Sequence, residues 1–191
     1  MNISALILAG GKSKRMGTDK ALLEIQGVPM VMHIARQLLQ FADEVIVNAN
    51  EIERYAFTGL QLVSDEQPGM GPLAGILSGL RKASHEKVFV TACDIPEISV
   101  SYVRALYDRS HHADIVMPQN DDNTVEPLFA LYSRGLVQVI ERVLARGLRK
   151  VTDVCDEPGV RTVYVSMQAA DGWYKNLNTP EDFGKYVSSR C

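Results

Sequence analysis

The stretch ISALILAGG, residues 3–11, decides the fold class. A compact apolar run that ends at two glycines is typical of a buried strand that breaks into a loop. Similar runs alternate along the chain with segments whose apolar residues recur at helical spacing, as at Val31, Ile34 and Leu38. Strands separated by helices predict βαβ units, so we expect an α/β fold with a mainly parallel central sheet covered on both faces.

The same patterns place the individual elements. Seven strands are predicted at residues 3–8, 44–48, 60–64, 87–92, 114–117, 127–132 and 161–165. Helices are predicted at residues 31–39, 73–80, 101–109 and 136–144, and a mobile loop at residues 119–124. A last helix begins with Thr179 as its N-cap and Pro180 at its first position.

Length and composition exclude several classes of protein. The chain has 191 residues, which against a prior of roughly 150 residues per domain favours a single domain over residues 1–191. Lys plus Arg number 20 and Asp plus Glu 23, a balance that predicts no affinity for nucleic acid or for an anionic membrane. The 3 cysteines form neither a disulfide framework nor a metal knuckle. No apolar run spans a bilayer and the first residues do not resemble a signal peptide, so we expect a cytoplasmic protein.

Polar side chains follow several of the predicted strands at the point where each strand ends. The glycine loop follows Leu8, Asn48 closes the second strand, and Asp65 and Asp94 come after the third and fourth. In parallel α/β sheets, ligands bind in the crevice outside the carboxyl ends of the strands. We therefore expect these residues to converge on one binding site.

The loop after Leu8 has the composition of a phosphate-binding loop. Glycines let the backbone approach a phosphate, and residues 12–20 hold four cations, Lys12, Lys14, Arg15 and Lys20, against a single carboxylate, Asp19. A P-loop is excluded, because it needs an earlier glycine where this chain has Leu6. The alternative is a solvated basic loop with no ligand.

The other candidate positions each have a structural alternative. Asp94 suits Mg²⁺, which proteins hold through one or two carboxylates together with substrate phosphates, but it could also cap the next helix. The glycine-rich segment 69–75 could present a helix N-terminus to a ligand, or could be only a tight connection. Asn48 and Asp65 are candidates for nucleotide contacts or for ordinary strand-end caps.

Residues 8–23, LAGGKSKRMGTDKALL, closely resemble the signature LAGGxSxRMGxDKxLL of the molybdenum cofactor guanylyltransferases. This family belongs to a wider group of nucleotidyltransferases. The resemblance extends over nearly the whole chain. Further landmarks occur in the same order at residues 47–50 (VNAN), 71–75 (GPLAG), 93–96 (CDIP), 126–132 (EPLFALY) and 176–181 (NLNTPE).

The resemblance implies a Rossmann-like three-layer sandwich that transfers GMP from GTP to the phosphate of molybdopterin, forming the guanine dinucleotide cofactor and pyrophosphate. It implies that the N-terminal half binds GTP and the C-terminal half binds molybdopterin. The implied catalytic residues are Arg15, Lys20 and Asp94, with Mg²⁺ as cofactor on Asp94. The implied binding residues are Leu8, Ala9, Gly10, Gly11, Lys20, Asn48, Asp65, Gly75 near the base and Asp94 for GTP, with Asn176 and Asn178 toward the pterin.

The implied partners leave several alternatives open. Whether molybdopterin arrives with molybdenum already inserted, and whether a delivery protein hands it over, are open. A relative that uses CTP with molybdopterin, or a nucleotide with a sugar phosphate, is the nearest alternative. Cytidylyltransferase relatives usually carry LAAG where this chain has Gly10 and Gly11, so the resemblance favours GTP. A GTP-binding regulator without turnover is a further alternative.

Overall fold

The computed structural model describes residues 1–9, 19–66, 69–167 and 176–189, and builds them around a seven-stranded sheet with strand order β5-β4-β1-β6-β8-β7-β9. The strands of this sheet are β1 (Ser4–Leu8), β4 (Glu44–Asn48), β5 (Gln61–Val63), β6 (Lys87–Ala92), β7 (Ile115–Gln119), β8 (Phe129–Ser133) and β9 (Thr162–Ser166). A separate hairpin pairs β2 (Glu24–Ile25) with β3 (Val28–Pro29).

Helices cover both faces of the large sheet, as the sequence predicts. They are α1 (Met30–Leu38), α2 (Pro72–Lys82), α3 (Val100–Asp108), α4 (Val137–Ala145) and α5 (Pro180–Ser188). Successive side chains of a strand point to opposite faces, so β1 places Ala5 and Ile7 in the core beneath α1 and α3, and Leu6 in the core beneath α2 and α4. No helix in the described part of the chain is long and apolar enough to cross a membrane.

The sheet is mainly parallel, with one reversed strand. β1 runs parallel to β4 and β6, and β7 runs parallel to β9, whereas β8 is antiparallel to both of its neighbours. A short connection explains the reversal, because parallel neighbours need a crossover of a dozen or more residues. Between β7 and β8 the chain forms a turn in which the amide of Asn120 donates to the carbonyl oxygen of Thr124 at 2.8 Å.

The start of the last helix confirms its prediction. The Thr179 hydroxyl accepts a hydrogen bond from the amide of Asp182 at 3.1 Å, and the Asp182 carboxylate accepts one from the amide of Thr179 at 2.9 Å. This reciprocal arrangement is a capping box. The short elements that the sequence does not predict include the β2–β3 hairpin and a 3₁₀ helix at Ile52–Thr58.

Helix α2 packs against β1 at a distance that only a glycine allows. A Cβ added at Gly79 would lie 2.2 Å from Cδ2 of Leu6, which is fully buried. We expect Gly79→Ala to lower the free energy of unfolding by about 1–3 kcal/mol, since overpacking outweighs the gain in helix propensity.

The matched control is Gly184→Ala in α5, where an added Cβ meets nothing within 4 Å. That variant should be more stable than the parent by about 0.5–1 kcal/mol, because glycine weakens a helix interior. Urea denaturation of the three proteins measures both effects. Equal changes in the two variants would show that α2 can move away from the sheet.

Candidate functional site

The predicted convergence of strand ends is confirmed for the residues that the structure describes. Leu8, the last residue of β1, is in register with Asn48 of β4 on one side and with Ala92 of β6 on the other. Asp94 lies two residues beyond the end of β6, and Asp65 lies two residues beyond the end of β5, the neighbour of β4. The amide of Ala9 donates to the carbonyl oxygen of Asn48 at 2.8 Å, so the chain leaves β1 still attached to this edge.

Asn48 and Asp65 form a hydrogen-bonded pair. Nδ2 of Asn48 donates to Oδ1 of Asp65 at 2.8 Å, and lies 3.4 Å from the carbonyl oxygen of Val63. Burial raises the pKa of Asp65, and the hydrogen bond from Asn48 opposes that rise. Asn48 is itself buried, so its hydrogen bond to Asp65 holds both polar side chains in fixed positions beside the end of β1.

Gly75 creates the space that the Asn48 side chain occupies. A Cβ at position 75 would lie 2.5 Å from Oδ1 of Asn48 and 3.0 Å from Cδ2 of Leu8. The glycine-rich segment therefore does more than connect a strand to a helix. Through Gly75 it lets α2 approach the site closely enough to hold the Asn48 amide in place.

Lys20 and Asp94 lie together, joined by the backbone of Leu177. Nζ of Lys20 donates to the carbonyl oxygen of Leu177 at 2.6 Å and lies 3.9 Å from Oδ2 of Asp94. The amide of Leu177 donates to the carbonyl oxygen of Asp94 at 2.7 Å. A residue near the end of the chain thus contacts both charged residues of the site, although 157 positions separate it from Lys20.

Asp94 does not cap the helix that follows it. The N-cap of that helix, α3, is Ser99, whose hydroxyl accepts a hydrogen bond from the amide of Tyr102 at 3.3 Å. Burial raises the pKa of Asp94, and the nearby Lys20 ammonium only partly offsets the rise. The Asp94 side chain is 30% exposed, so a half-buried carboxylate near the end of β6 remains accessible to a ligand.

Three residues near the site were missed by the sequence analysis. Asp19 precedes Lys20, and its carboxylate accepts a hydrogen bond from the Tyr55 hydroxyl at 2.7 Å and lies 3.3 Å from Nη1 of Arg54. Tyr55 and Arg54 belong to the 3₁₀ helix that the sequence pattern does not predict. The available signal was an aromatic residue, Tyr55, in the otherwise polar segment between β4 and β5, where an aromatic side chain indicates a buried contact.

Several predicted residues add less to the described site. Gly10, Gly11 and Arg15 lie outside the described residues. Leu8 and Ala9 lie at the crevice edge, and Ala9 is buried. Asn176 and Asn178 flank Leu177, so the segment predicted to face the second substrate lies beside Asp94 and Lys20. Asn176 is half-buried and Asn178 is exposed.

Comparison with known proteins gives consistent matches over the chain. The family model described as the MobA-like NTP transferase domain matches residues 5–162. The molybdenum cofactor guanylyltransferase of Syntrophotalea carbinolica is 39% identical over 191 residues, covering 96% of this chain and 90% of that protein. The protein of the same name from Serratia proteamaculans is 36% identical over 183 residues, covering 94% of this chain and 91% of that protein.

A solved structure supports the fold. The crystal structure of molybdopterin-guanine dinucleotide biosynthesis protein A from Archaeoglobus fulgidus superposes with a TM-score of 0.81 at 21% identity, covering 98% of this chain and 100% of that one. The Rossmann-like three-layer architecture is thereby confirmed, together with the mainly parallel sheet.

The raised pKa of Asp94 has a consequence for stability. The pKa of Asp94 is higher in the folded chain than in the unfolded chain. At a pH above the folded-state pKa, the ionised carboxylate therefore lowers the free energy of unfolding. As the pH falls, Asp94 becomes protonated and this destabilisation disappears. We expect Asp94→Asn to raise the unfolding midpoint of the ligand-free protein at neutral pH. The gain should shrink as the pH is lowered through the range in which carboxyl groups titrate.

Asp182→Asn is the control, because this substitution should change the unfolding midpoint in the opposite direction. Hydrogen bonds from Thr179, followed by one from the amide of Asn178, hold the pKa of Asp182 below its usual range, so this carboxylate stabilises the fold when ionised. Its loss should lower the midpoint at neutral pH. Thermal denaturation at several pH values measures both variants, and an Asp94→Asn protein less stable than its parent would contradict the assignment.

If the Asn48–Asp65 pair contacts a nucleotide, the close packing at Gly75 predicts a selective loss of binding in a Gly75→Ala variant. Gly75→Ala should displace the Asn48 side chain and break its hydrogen bond to Asp65, leaving a buried group without its partner. The Asn48 amide would no longer be held where it could contact the nucleoside, and losing one such hydrogen-bonded contact is worth about 1–3 kcal/mol, so we expect GTP affinity to fall about 10-fold or more. Titration calorimetry with GTP measures this change.

Asn48→Ala provides the matched background for that experiment. Once the Asn48 side chain is removed, the methyl group added at position 75 no longer clashes with Oδ1 of Asn48. In the Asn48→Ala protein, Gly75→Ala should therefore cause little further loss of affinity. An equal loss in both backgrounds would show that Gly75 acts on the ligand by another route.

Proposed function

The chain belongs to the MobA-like NTP transferase family and is a nucleotidyltransferase of the molybdenum cofactor guanylyltransferase type, and from this premise we propose that it transfers GMP from GTP to molybdopterin. One observation carries the proposal. Lys20 and Asp94, the cation and carboxylate that the reaction needs, lie together at the carboxyl edge of the sheet, in contact with the segment proposed for the second substrate.

The reaction is an in-line displacement at the α-phosphorus of GTP. An oxygen of the terminal phosphate of molybdopterin forms a bond to that phosphorus, and the bond from the phosphorus to the bridging oxygen of the β-phosphate breaks. Pyrophosphate leaves with the electron pair. The attacking oxygen is already anionic, so the protein needs no general base and contributes through alignment and charge stabilisation.

Lys20 is the described residue best placed to stabilise the charge of the leaving pyrophosphate. Its side chain is 15% exposed, and the carbonyl oxygen of Leu177 holds the ammonium at 2.6 Å. A cation that is fixed before the substrate arrives needs little reorganisation during the reaction. Arg15 and the backbone amides of Gly10 and Gly11 are proposed to act on the same phosphates.

Asp94 is the residue proposed to hold Mg²⁺. In the described part of the chain, no group of three or more His, Cys, Asp or Glu could hold a metal ion. Protein sites commonly bind Mg²⁺ through one or two carboxylates, while substrate phosphates and water complete its shell, so the single carboxylate of Asp94 is a sufficient protein ligand. Bound there, Mg²⁺ would screen the negative charge of the phosphates.

The remaining residues bind and separate the two substrates. The Asn48–Asp65 pair, supported by Gly75, is proposed to contact the nucleoside of GTP at the ends of β4 and β5. Asn176 and Asn178 are proposed to contact the pterin. Leu177 places these two residues next to Asp94, so the acceptor phosphate would arrive on the side of the site where Lys20 and Asp94 meet.

The proposal predicts pyrophosphate release from the protein with Mg²⁺ and molybdopterin, and only with GTP among GTP, CTP, ATP and UTP. Release with CTP would keep the mechanism but contradict the preference inferred from Gly10 and Gly11. A protein that binds GTP but releases pyrophosphate with none of the four would refute the transfer reaction and favour a regulator.

Two substitutions test the assigned roles within the same assay. Lys20→Ala should lower kcat/KM by about 10²–10³, the usual effect of removing one group that stabilises transition-state charge. Asp94→Ala should abolish Mg²⁺-dependent turnover while leaving the fold intact. Parental turnover in Lys20→Ala would refute the role of Lys20, and full Mg²⁺-dependent activity in Asp94→Ala would show that the metal is held elsewhere.

A further inference from the structure

A buried tyrosine contacts the residue that precedes Lys20. Tyr55 is 1% exposed, and its hydroxyl donates to Oδ2 of Asp19 at 2.7 Å across 36 positions of sequence. Tyr55 lies in the 3₁₀ helix after β4, whereas Asp19 lies between β1 and β2, directly before the 3₁₀ turn Lys20–Leu22. The hydrogen bond therefore connects the segment that follows β1 to the segment that follows its neighbour in the sheet, β4.

Asp19 uses its other oxygen to begin the turn that carries Lys20. Oδ1 accepts from the amide of Ala21 at 3.2 Å, so Asp19 is the N-cap of the 3₁₀ turn Lys20–Leu22. The backbone oxygen of Asp19 also accepts from the amide of Leu22 at 3.1 Å. A cap of this kind fixes the backbone direction from which the next side chain leaves.

The charge of Asp19 is matched by partners other than Lys20. Oδ2 accepts the Tyr55 hydrogen bond and lies 3.3 Å from Nη1 of Arg54, while Lys20 reaches toward Leu177 and Asp94. The two adjacent residues thus have separate partners. This arrangement keeps the Asp19 carboxylate from taking the Lys20 ammonium as its own partner.

The Tyr55 hydroxyl is unsuited to proton transfer. Burial, and then the hydrogen bond to the Asp19 carboxylate, raise the pKa of Tyr55 above its usual value. The hydroxyl stays protonated throughout the neutral range and continues to donate to Asp19. Its contribution is therefore one of position.

We propose that Tyr55 is a positioning residue for the transfer reaction: through Asp19 it fixes the turn that holds the Lys20 ammonium beside Asp94. The proposal rests on the proposed function, because it assigns Lys20 to the phosphates of GTP. Supporting residues of this kind typically change activity by about 10–100-fold when they are removed, since the group they hold becomes less well placed.

The test is a double-mutant cycle between Tyr55→Phe and Lys20→Ala, which measures whether the two residues act as one unit. Tyr55→Phe removes a single hydroxyl and should lower kcat for GTP about 10-fold or more, with a smaller change in KM. In the Lys20→Ala background the same substitution should have almost no effect on kcat, because the group that Tyr55 positions is gone.

Ser110→Ala is the matched control. The Ser110 hydroxyl is buried and donates at 2.7 Å to the carbonyl oxygen of Tyr107, at the edge of the sheet where β7 begins, opposite the candidate site. Its loss should leave kcat unchanged. A parental kcat in Tyr55→Phe, or an equal decrease in both backgrounds, would overturn the proposal, because a general effect on folding does not depend on Lys20.

Asp19→Asn provides a second route if Tyr55→Phe does not fold. The amide keeps one acceptor oxygen for the cap at Ala21, but its NH₂ group cannot accept the Tyr55 hydrogen bond. The decrease in kcat, and its absence in the Lys20→Ala background, should match those of Tyr55→Phe. A kcat equal to that of the parent would overturn the proposal.

A failure of the transfer reaction itself can be told apart from a failure of this inference. No pyrophosphate release from the parent protein would refute the proposed function. The same four proteins of the cycle are then titrated with GTP and Mg²⁺. A Tyr55→Phe loss of affinity that disappears with Lys20→Ala would support the positioning role, and independent losses would refute it.

Discussion

The close approach of helix α2 to the sheet is the constraint on which both the core and the candidate site depend. Gly79 brings the helix against the fully buried Leu6, and one helical turn earlier Gly75 brings it against the side chain of Asn48. The first contact belongs to the hydrophobic core and the second to the binding crevice. Because one rigid helix makes both contacts, the position of the Asn48–Asp65 pair follows from the packing of the core.

The opposite side of the crevice depends on polar contacts between distant parts of the chain. Leu177 accepts from Lys20 and donates to Asp94 through its backbone, so the C-terminal segment completes a site that the N-terminal strands begin. Burial of Asp94 works against this arrangement, as its raised pKa shows. A carboxylate retained in such a place is typical of functional sites, where charge is kept for a ligand at the expense of stability.

The fold was predictable wherever local pattern and topology agree. The bounds of β4 and β6 match the sequence prediction to the residue, because apolar runs bounded by polar residues define a buried strand. The direction of β8 was not assigned, although the lack of a helix between residues 119 and 127 already favours an antiparallel neighbour. The hairpin of β2 and β3 has two residues in each strand, too few to show any periodicity.

In the candidate site, too, the positions that follow from topology could be predicted and those that follow from tertiary packing could not. Asn48, Asp65 and Asp94 could be placed from the sequence because the ends of parallel strands must meet at one edge, whatever side chains they carry. Lys20 lies in no strand, and its position depends on Leu177 and on the Asp19–Tyr55 hydrogen bond, which join residues 157 and 36 positions apart. No periodicity encodes such contacts, since they follow from tertiary packing. Topology thus locates the carboxylates of this crevice, whereas packing between distant segments locates its described cation.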